Sequence, residues 1–140
     1  MVTVKPYSVS FLTLGGFLLI IMGIYFVFLR PSLLPEDLNY MKTNLSVING
    51  SVPGLAAWLQ KVFCVVGGFC VTSGLLTIFI ALTAFRTRIQ GAFAIILISG
   101  ITSIGFMTLL NFIINSNFKW ALLIFTLPWL IALILYRFHK

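Results

Sequence analysis

The sequence predicts an all-α integral membrane protein: a four-helix bundle with one hydrophilic outer loop between the first and second helices. The clearest indication is the stretch between Lys61 and Arg86, which contains no charged residue. At about 1.5 Å per residue it is about 36 Å long, enough to cross about 30 Å of hydrocarbon. In addition, 61% of the residues are hydrophobic and only 8% are charged, whereas soluble domains carry about 25% charged residues. We therefore expect a single transmembrane domain over residues 1–140, with lipid as its main solvent.

The first span is predicted over residues 9–29, which carry no charge and are followed by Arg30 and Pro31. A secretory signal peptide also begins with a basic segment. Its apolar core is shorter, however, and no small-residue cleavage site follows this stretch. We therefore interpret residues 9–29 as a membrane helix.

Residues 30–57 form the predicted outer loop, which holds the only two acidic residues of the protein, Glu36 and Asp37. They follow Pro35, and proline and carboxylates both favour the first turn of a helix. A short helix is therefore expected over residues 35–42. Turns are predicted at residues 49–51 and 53–54, and residues 55–61 resemble an interfacial segment that leads into the second span.

The remaining spans are predicted over residues 62–85, 91–114 and 118–136. A basic turn at residues 86–88 separates the second span from the third, and residues 115–117 form a tight turn between the third and the fourth. Pro128 lies within the fourth span and should kink it, because it removes one backbone hydrogen bond. Trp129 beside it could line a cavity, but a position facing lipid is commoner.

Basic residues at the ends of the spans predict the orientation. With both termini in the cytoplasm, the inner face holds Lys5, Arg86, Arg88, Arg137 and Lys140, and the outer face holds Arg30, Lys42, Lys61 and Lys119. This excess on the inner face follows the positive-inside rule, and the short connections favour a bacterial inner membrane. Asn44 and Asn49 begin two matches to the N-glycosylation pattern in the outer loop.

The sequence lacks the residues that several kinds of function require. No predicted span has Asp, Glu, Lys, Arg or His away from its ends, whereas ion- and proton-coupled transporters normally carry an ionisable group at membrane depth. Cys64 and Cys70 lie on different faces of one helix, and His139 is the only histidine, so neither a metal site nor another cofactor is expected. The net charge of +7 is explained by basic residues at span ends that contact lipid headgroups, and nucleic acid is not an expected partner.

The third span offers the best candidate for a ligand site. On a regular helix, Thr108, Asn111 and Asn115 fall within an arc of about 60° toward the outer end, with Asn111 pointing inward. Together with Arg30, Glu36 and Asp37 of the outer loop, these residues predict a polar pocket that binds a head group or small ligand. The alternative is structural, since such polar groups also bond to their own helix or to a neighbouring one. Ser99, Thr102 and Ser103 lie on another face, nearer the inner end.

Four glycines predict how the first two spans pack. Gly16 and Gly23 are seven residues apart, as are Gly67 and Gly74, so each pair lies on one face of its helix. Counting residues from the inner ends places Gly16 at the depth of Gly74, and Gly23 at the depth of Gly67. The alternative is that each pair faces a different neighbour or another chain.

These patterns favour a small non-enzymatic membrane protein that serves as an accessory or assembly subunit of a membrane complex. Its partners would then be membrane lipids and protein subunits, or further copies of itself. The alternative is a protein that binds or transports a lipid or small apolar ligand through the outer loop and the polar face of the third span. An enzyme is less favoured, because each catalytic class considered lacks its residues.

Overall fold

The computed structural model describes residues 6–138, and within these residues it contains helices and turns but no strand. Four helical segments are long and apolar enough to cross a membrane. These are the first span, Tyr7–Leu29; the second, Leu55–Phe85; the third, Ala92–Ile113; and the fourth, Lys119–Phe138. The prediction of an all-α four-helix bundle is confirmed, and we treat the chain as an integral membrane protein.

Three of the spans combine α-helix with a π-helical turn. A π-helical turn adds a residue to the helical repeat and shifts the direction of the side chains beyond it. In the first and second spans an α-helix is followed by such a turn, whereas in the third span the turn separates two α-helices. The elements are α1 (Pro6–Ile24) with its turn Tyr25–Leu29, α4 (Leu55–Ile80) with Ala81–Phe85, α5 (Ala92–Gly100) with Ile101–Gly105, α6 (Phe106–Ile114), and α7 (Lys119–Phe138).

The outer segment is more helical than predicted. α2 covers Pro35–Met41, close to the expected range, but a second short helix, α3, covers Leu45–Ser51. The turn predicted at residues 49–51 is therefore wrong. Asn44 begins α3, because its side-chain oxygen accepts a hydrogen bond of 2.9 Å from the amide of Val47, and such a cap stabilises the first turn of a helix.

The second span begins at Leu55 rather than near residue 62. Gly54 precedes it with a φ of 94°, a left-handed conformation that glycine adopts without strain. The segment expected to lie at the interface is thus the first part of the same helix. In the fourth span, α7 continues through Pro128, and the kink expected there stays a prediction.

The first span lies at the centre of the packing. It contacts the second span along most of its length and also packs against the fourth, which in turn packs against the third. The second and third spans meet near the inner end, where the π-helical turn Ala81–Phe85 contacts α5. This leaves space between the second and third spans over the rest of their length.

The four glycines lie where the first and second spans cross. A Cβ atom placed on Gly16 would lie 2.9 Å from the carbonyl oxygen of Gly74, and one placed on Gly23 would lie 2.6 Å from that of Gly67. Carbon atoms do not approach oxygen so closely without displacement, so the backbones meet at a distance that only glycine allows. Gly16 meets Gly74 and Gly23 meets Gly67, as the sequence predicts from their depths in the membrane.

Trp129 belongs to the protein core, so the expectation that it faces lipid is wrong. Its side chain is only 3% exposed and lies against Gly15 of the first span and Gly100 of the third. The two glycines leave room for the indole, which joins the first, third and fourth spans. Other core residues are Leu12, Leu19, Phe85, Ile96 and Ala132.

Candidate ligand-binding cavity

A cavity of about 380 Å³ lies beneath α2, among the first, third and fourth spans. It forms where the first and third spans do not pack against each other, and α2 covers its outer end. Most of its lining is apolar, and the polar groups belong to the loop, to α2 and to the outer end of the third span. The lining includes Ile21, Tyr25, Met107, Ala121 and Phe125 on the walls, and Arg30, Glu36, Asp37, Asn111 and Ser116 at the polar end.

Asp37 fixes the side of α2 that lies next to the first span. One of its carboxylate oxygens accepts a hydrogen bond of 2.9 Å from the amide of Leu34 and forms an ion pair of 3.3 Å with Arg30. The first bond satisfies a free amide at the start of α2, as expected for a carboxylate in the first turn. The second joins α2 to the outer end of the first span.

Arg30 is held on several sides. Its guanidinium lies 3.5 Å from the ring centroid of Phe63 and 5.4 Å from that of Phe26, and it also donates to the carbonyl oxygen of Pro31 at 3.0 Å. Burial lowers the pKa of Arg30, and the charge of Asp37 opposes this shift. Arginine nevertheless stays protonated at any physiological pH, so the cavity keeps a fixed positive charge beside Asp37.

Glu36 points to the opposite side of α2, toward the turn between the third and fourth spans. It is 7% exposed and accepts a hydrogen bond of 3.0 Å from the hydroxyl of Ser116. The same hydroxyl oxygen accepts a bond from the amide of Phe118, which orients it within the turn. α2 is therefore attached to the bundle at two places, through Asp37 and through Glu36.

The two acids diverge, as expected for adjacent residues on a helix. The sequence explained both by their favourable position at a helix start. Asp37 has that role, but the main contact of Glu36 is with Ser116, 80 positions away in the chain. Ser116 was not among the predicted site residues. Its position in a tight turn was visible in the sequence, but nothing there indicated that α2 would fold over that turn.

The structure separates the three predicted polar residues of the third span. Asn111 lines the cavity, in the inward orientation that the sequence predicted, and its amide donates to the carbonyl oxygen of Met107 at 2.9 Å. Thr108 lies against the fourth span on another side and bonds to the carbonyl oxygen of Ile104. Asn115 ends α6 with a φ of 57° and bonds to Lys119. Only Asn111 of the three therefore lies at the cavity.

A second cavity, of about 330 Å³, lies between the second and third spans. Its polar lining consists of Ser73, Ser99, Thr102 and Ser103, with Cys70 nearby. The hydroxyl of Thr102 donates to Ile98 and that of Ser103 to Ser99, within their own helix. These bonds agree with the alternative that such polar side chains have a structural role and bond to their own helix.

The described residues contain no group of three or more His, Cys, Asp or Glu side chains arranged to hold a metal ion. His139 lies outside the described residues, as do Lys5 and Lys140, on which part of the orientation prediction depends. Cys64 and Cys70 are free thiols.

No protein-family model, no curated protein and no solved structure matches this chain. A function for it therefore has to be argued from the geometry of the cavity beneath α2.

Proposed function

We propose that this membrane protein binds one amphiphilic molecule, a lipid or a small apolar ligand with a polar head, in the cavity beneath α2. The observation that carries the proposal is the division of the cavity into apolar walls between the spans and a charged end under α2. An amphiphile is likewise divided into an apolar chain and a polar head. Its chain would lie between the spans, and its head would meet Arg30, Glu36 and Asn111.

The size and lining of the cavity support this proposal. Ligand pockets in proteins usually measure about 300–1,000 Å³, with mostly apolar walls and a few polar groups that orient the ligand. The cavity volume of about 380 Å³ suits one chain rather than a bulky ring system. Because an amphiphile comes from the bilayer, its head group would decide much of the specificity.

Native mass spectrometry of the protein in a gentle detergent tests this proposal, with dodecanol as the added probe. We expect one bound dodecanol, or one retained lipid, per chain. Ala121→Phe should abolish this binding, because Ala121 lines the cavity. Ala94→Phe is the matched control: Ala94 is likewise an exposed alanine, on the third span, but it does not line the cavity, so this change should leave binding unchanged. Equal binding by both variants, or none by the original protein, would refute the proposal.

An accessory or assembly role is the second candidate, and one observation favours it. The second and third spans leave a groove lined by hydroxyl groups, including those of Ser73 and Ser103, which a helix of another subunit could fill. The same mass spectra distinguish the two functions. A stoichiometric protein partner that is retained in gentle detergent would support the accessory role, and a retained amphiphile would support ligand binding.

For the location, we propose a bacterial inner membrane with both termini in the cytoplasm and α2 outside. Arg88 supports the grouping of charges at the inner end, because its guanidinium donates to the carbonyl oxygen of Tyr136 at 2.7 Å. The basic turn and the end of the fourth span therefore lie together. The ligand cavity would then open toward the outer half of the bilayer.

A further inference from the structure

We infer that the cavity beneath α2 selects an amphiphile with a cationic head, a protonated amine. This inference rests on the proposed function and names the class of its ligand. It follows from the charges that line the polar end of the cavity, from the burial of Glu36, and from the aromatic rings on the cavity walls.

The charges at the cavity do not balance. Three ionisable side chains with a formal charge at neutral pH line it: Arg30, Glu36 and Asp37. Arg30 and Asp37 form an ion pair, and Arg30 also lies over the ring of Phe63 and bonds to Pro31. The pair is thus neutral as a unit, and Glu36 leaves the cavity with a formal charge of −1.

Glu36 forms no ion pair among residues 6–138. Because Arg30 is paired with Asp37, it interacts with the charge of Glu36 only at longer range. Its bond to Ser116 comes from a neutral hydroxyl, and the ion pair of the described chain joins Arg30 to Asp37 instead. Burying a carboxylate is costly unless a counter-charge or several hydrogen bonds compensate it. An ammonium group at the polar end of the cavity would supply that counter-charge and could donate up to three hydrogen bonds.

The helix ends around the cavity carry both signs. The first and third spans both run toward α2, so their carbonyl ends, near Leu29 and Ile114, lie at the polar end and carry a partial negative charge. α2, with Glu36 and Asp37 in its first turn, and the fourth span both begin there, and their positive ends offset this charge. Lys119 lies in the first turn of the fourth span. Lys119 is bonded to Asn115 on the exposed side, however, and does not line the cavity.

Aromatic rings at the cavity also favour a cationic head group. Tyr25 and Phe118 line the cavity, and their ring centroids are 6.1 Å apart. The face of an aromatic ring attracts a cation, and it does so more strongly when the cation is desolvated. A protonated amine beside Glu36 would therefore meet its carboxylate and aromatic rings, whereas the same carboxylate would repel a phosphate.

The test compares three probes with the same chain: dodecylamine, dodecanol and dodecyl phosphate, measured by competition in native mass spectra. We expect dodecylamine to bind at least about tenfold more tightly than dodecanol, as a charge-assisted hydrogen bond would provide, and dodecyl phosphate to bind most weakly. Glu36→Gln should remove the preference for the amine, because the amide keeps an acceptor for Ser116 but no charge. Lys61→Gln is the control: it changes the net charge by one unit at an exposed outer position and should keep the preference.

The outcomes separate this inference from the proposed function. If all three probes bind equally and Ala121→Phe abolishes binding, the cavity binds amphiphiles but the inference is wrong. A preference for dodecyl phosphate, or an amine preference that survives Glu36→Gln, would also overturn it. If none of the three probes binds, both the proposed function and this inference are refuted. If Glu36→Gln does not fold, the order of the affinities of the three probes for the original protein still tests the inference.

Discussion

The indole N–H of Trp129 donates a hydrogen bond of 2.9 Å to the backbone carbonyl oxygen of Ile96. The bond joins the fourth span to the third, one turn before the π-helical turn that begins at Ile101. Trp129 also lies against Gly15 of the first span. A single side chain thus fixes the positions of three spans below the cavity.

We expect Trp129→Phe to lower the free energy of unfolding by about 1–2 kcal/mol, because the hydrogen bond from the indole to Ile96 is lost and the smaller ring leaves a void. Trp58→Phe is the matched control, since Trp58 is 61% exposed and the same change should have little effect. Denaturant unfolding in detergent measures both. Equal losses would show that the buried bond contributes nothing specific.

The glycine contact between the first and second spans gives a second prediction. Gly67→Leu combined with Gly74→Leu should lower the free energy of unfolding by at least about 2 kcal/mol or prevent folding, because the new side chains would overlap the first span. Gly68→Leu provides the control, as no atom lies within 4 Å of a Cβ placed there. Thermal unfolding and size-exclusion chromatography report the result. A double variant with the original melting temperature and elution volume would contradict it.

The two polar residues of the third span should differ in their effect on binding. Asn111→Leu removes a polar group from the cavity and should weaken dodecylamine binding about tenfold to a hundredfold, the range for one hydrogen bond to a charged group. Thr108→Val should leave it unchanged, because the hydroxyl of Thr108 bonds within its helix and does not face this cavity. Competition in native mass spectra measures both variants. Equal weakening would place the site elsewhere.

The orientation can be checked by thiol labelling in a background with Cys64→Ala and Cys70→Ala. Gly50→Cys and Gln90→Cys occupy exposed positions at opposite ends of the bundle. With both termini in the cytoplasm, an impermeant thiol reagent should label the cysteine at position 50 in intact cells, and the one at position 90 only after lysis. The opposite labelling would reverse the proposed orientation.

For the candidate site, the sequence named residues that the structure then divides. Arg30, Glu36, Asp37 and Asn111 line one cavity, whereas Thr108 and Asn115 do not. On the regular helix that the sequence predicts, the three polar residues of the third span share one arc, but the structure gives them different neighbours. An angle alone does not say which neighbour each side chain meets, however, and Asn115 leaves the helix at its end. Ser116 and Trp129 were missed as partners because their contacts are long-range.

The sequence by itself determined that the chain has four segments long and apolar enough to cross a membrane, because apolar length and the absence of charge are local properties that lipid requires of each span. It also determined which glycines the first two spans present to each other, since regular helical spacing fixes their faces and depths. Only the tertiary structure decided that α2 covers a cavity, that Glu36 meets Ser116, and that Trp129 lies in the core. These contacts depend on which spans pack and which stay apart, and that choice results from the fit of all side chains together.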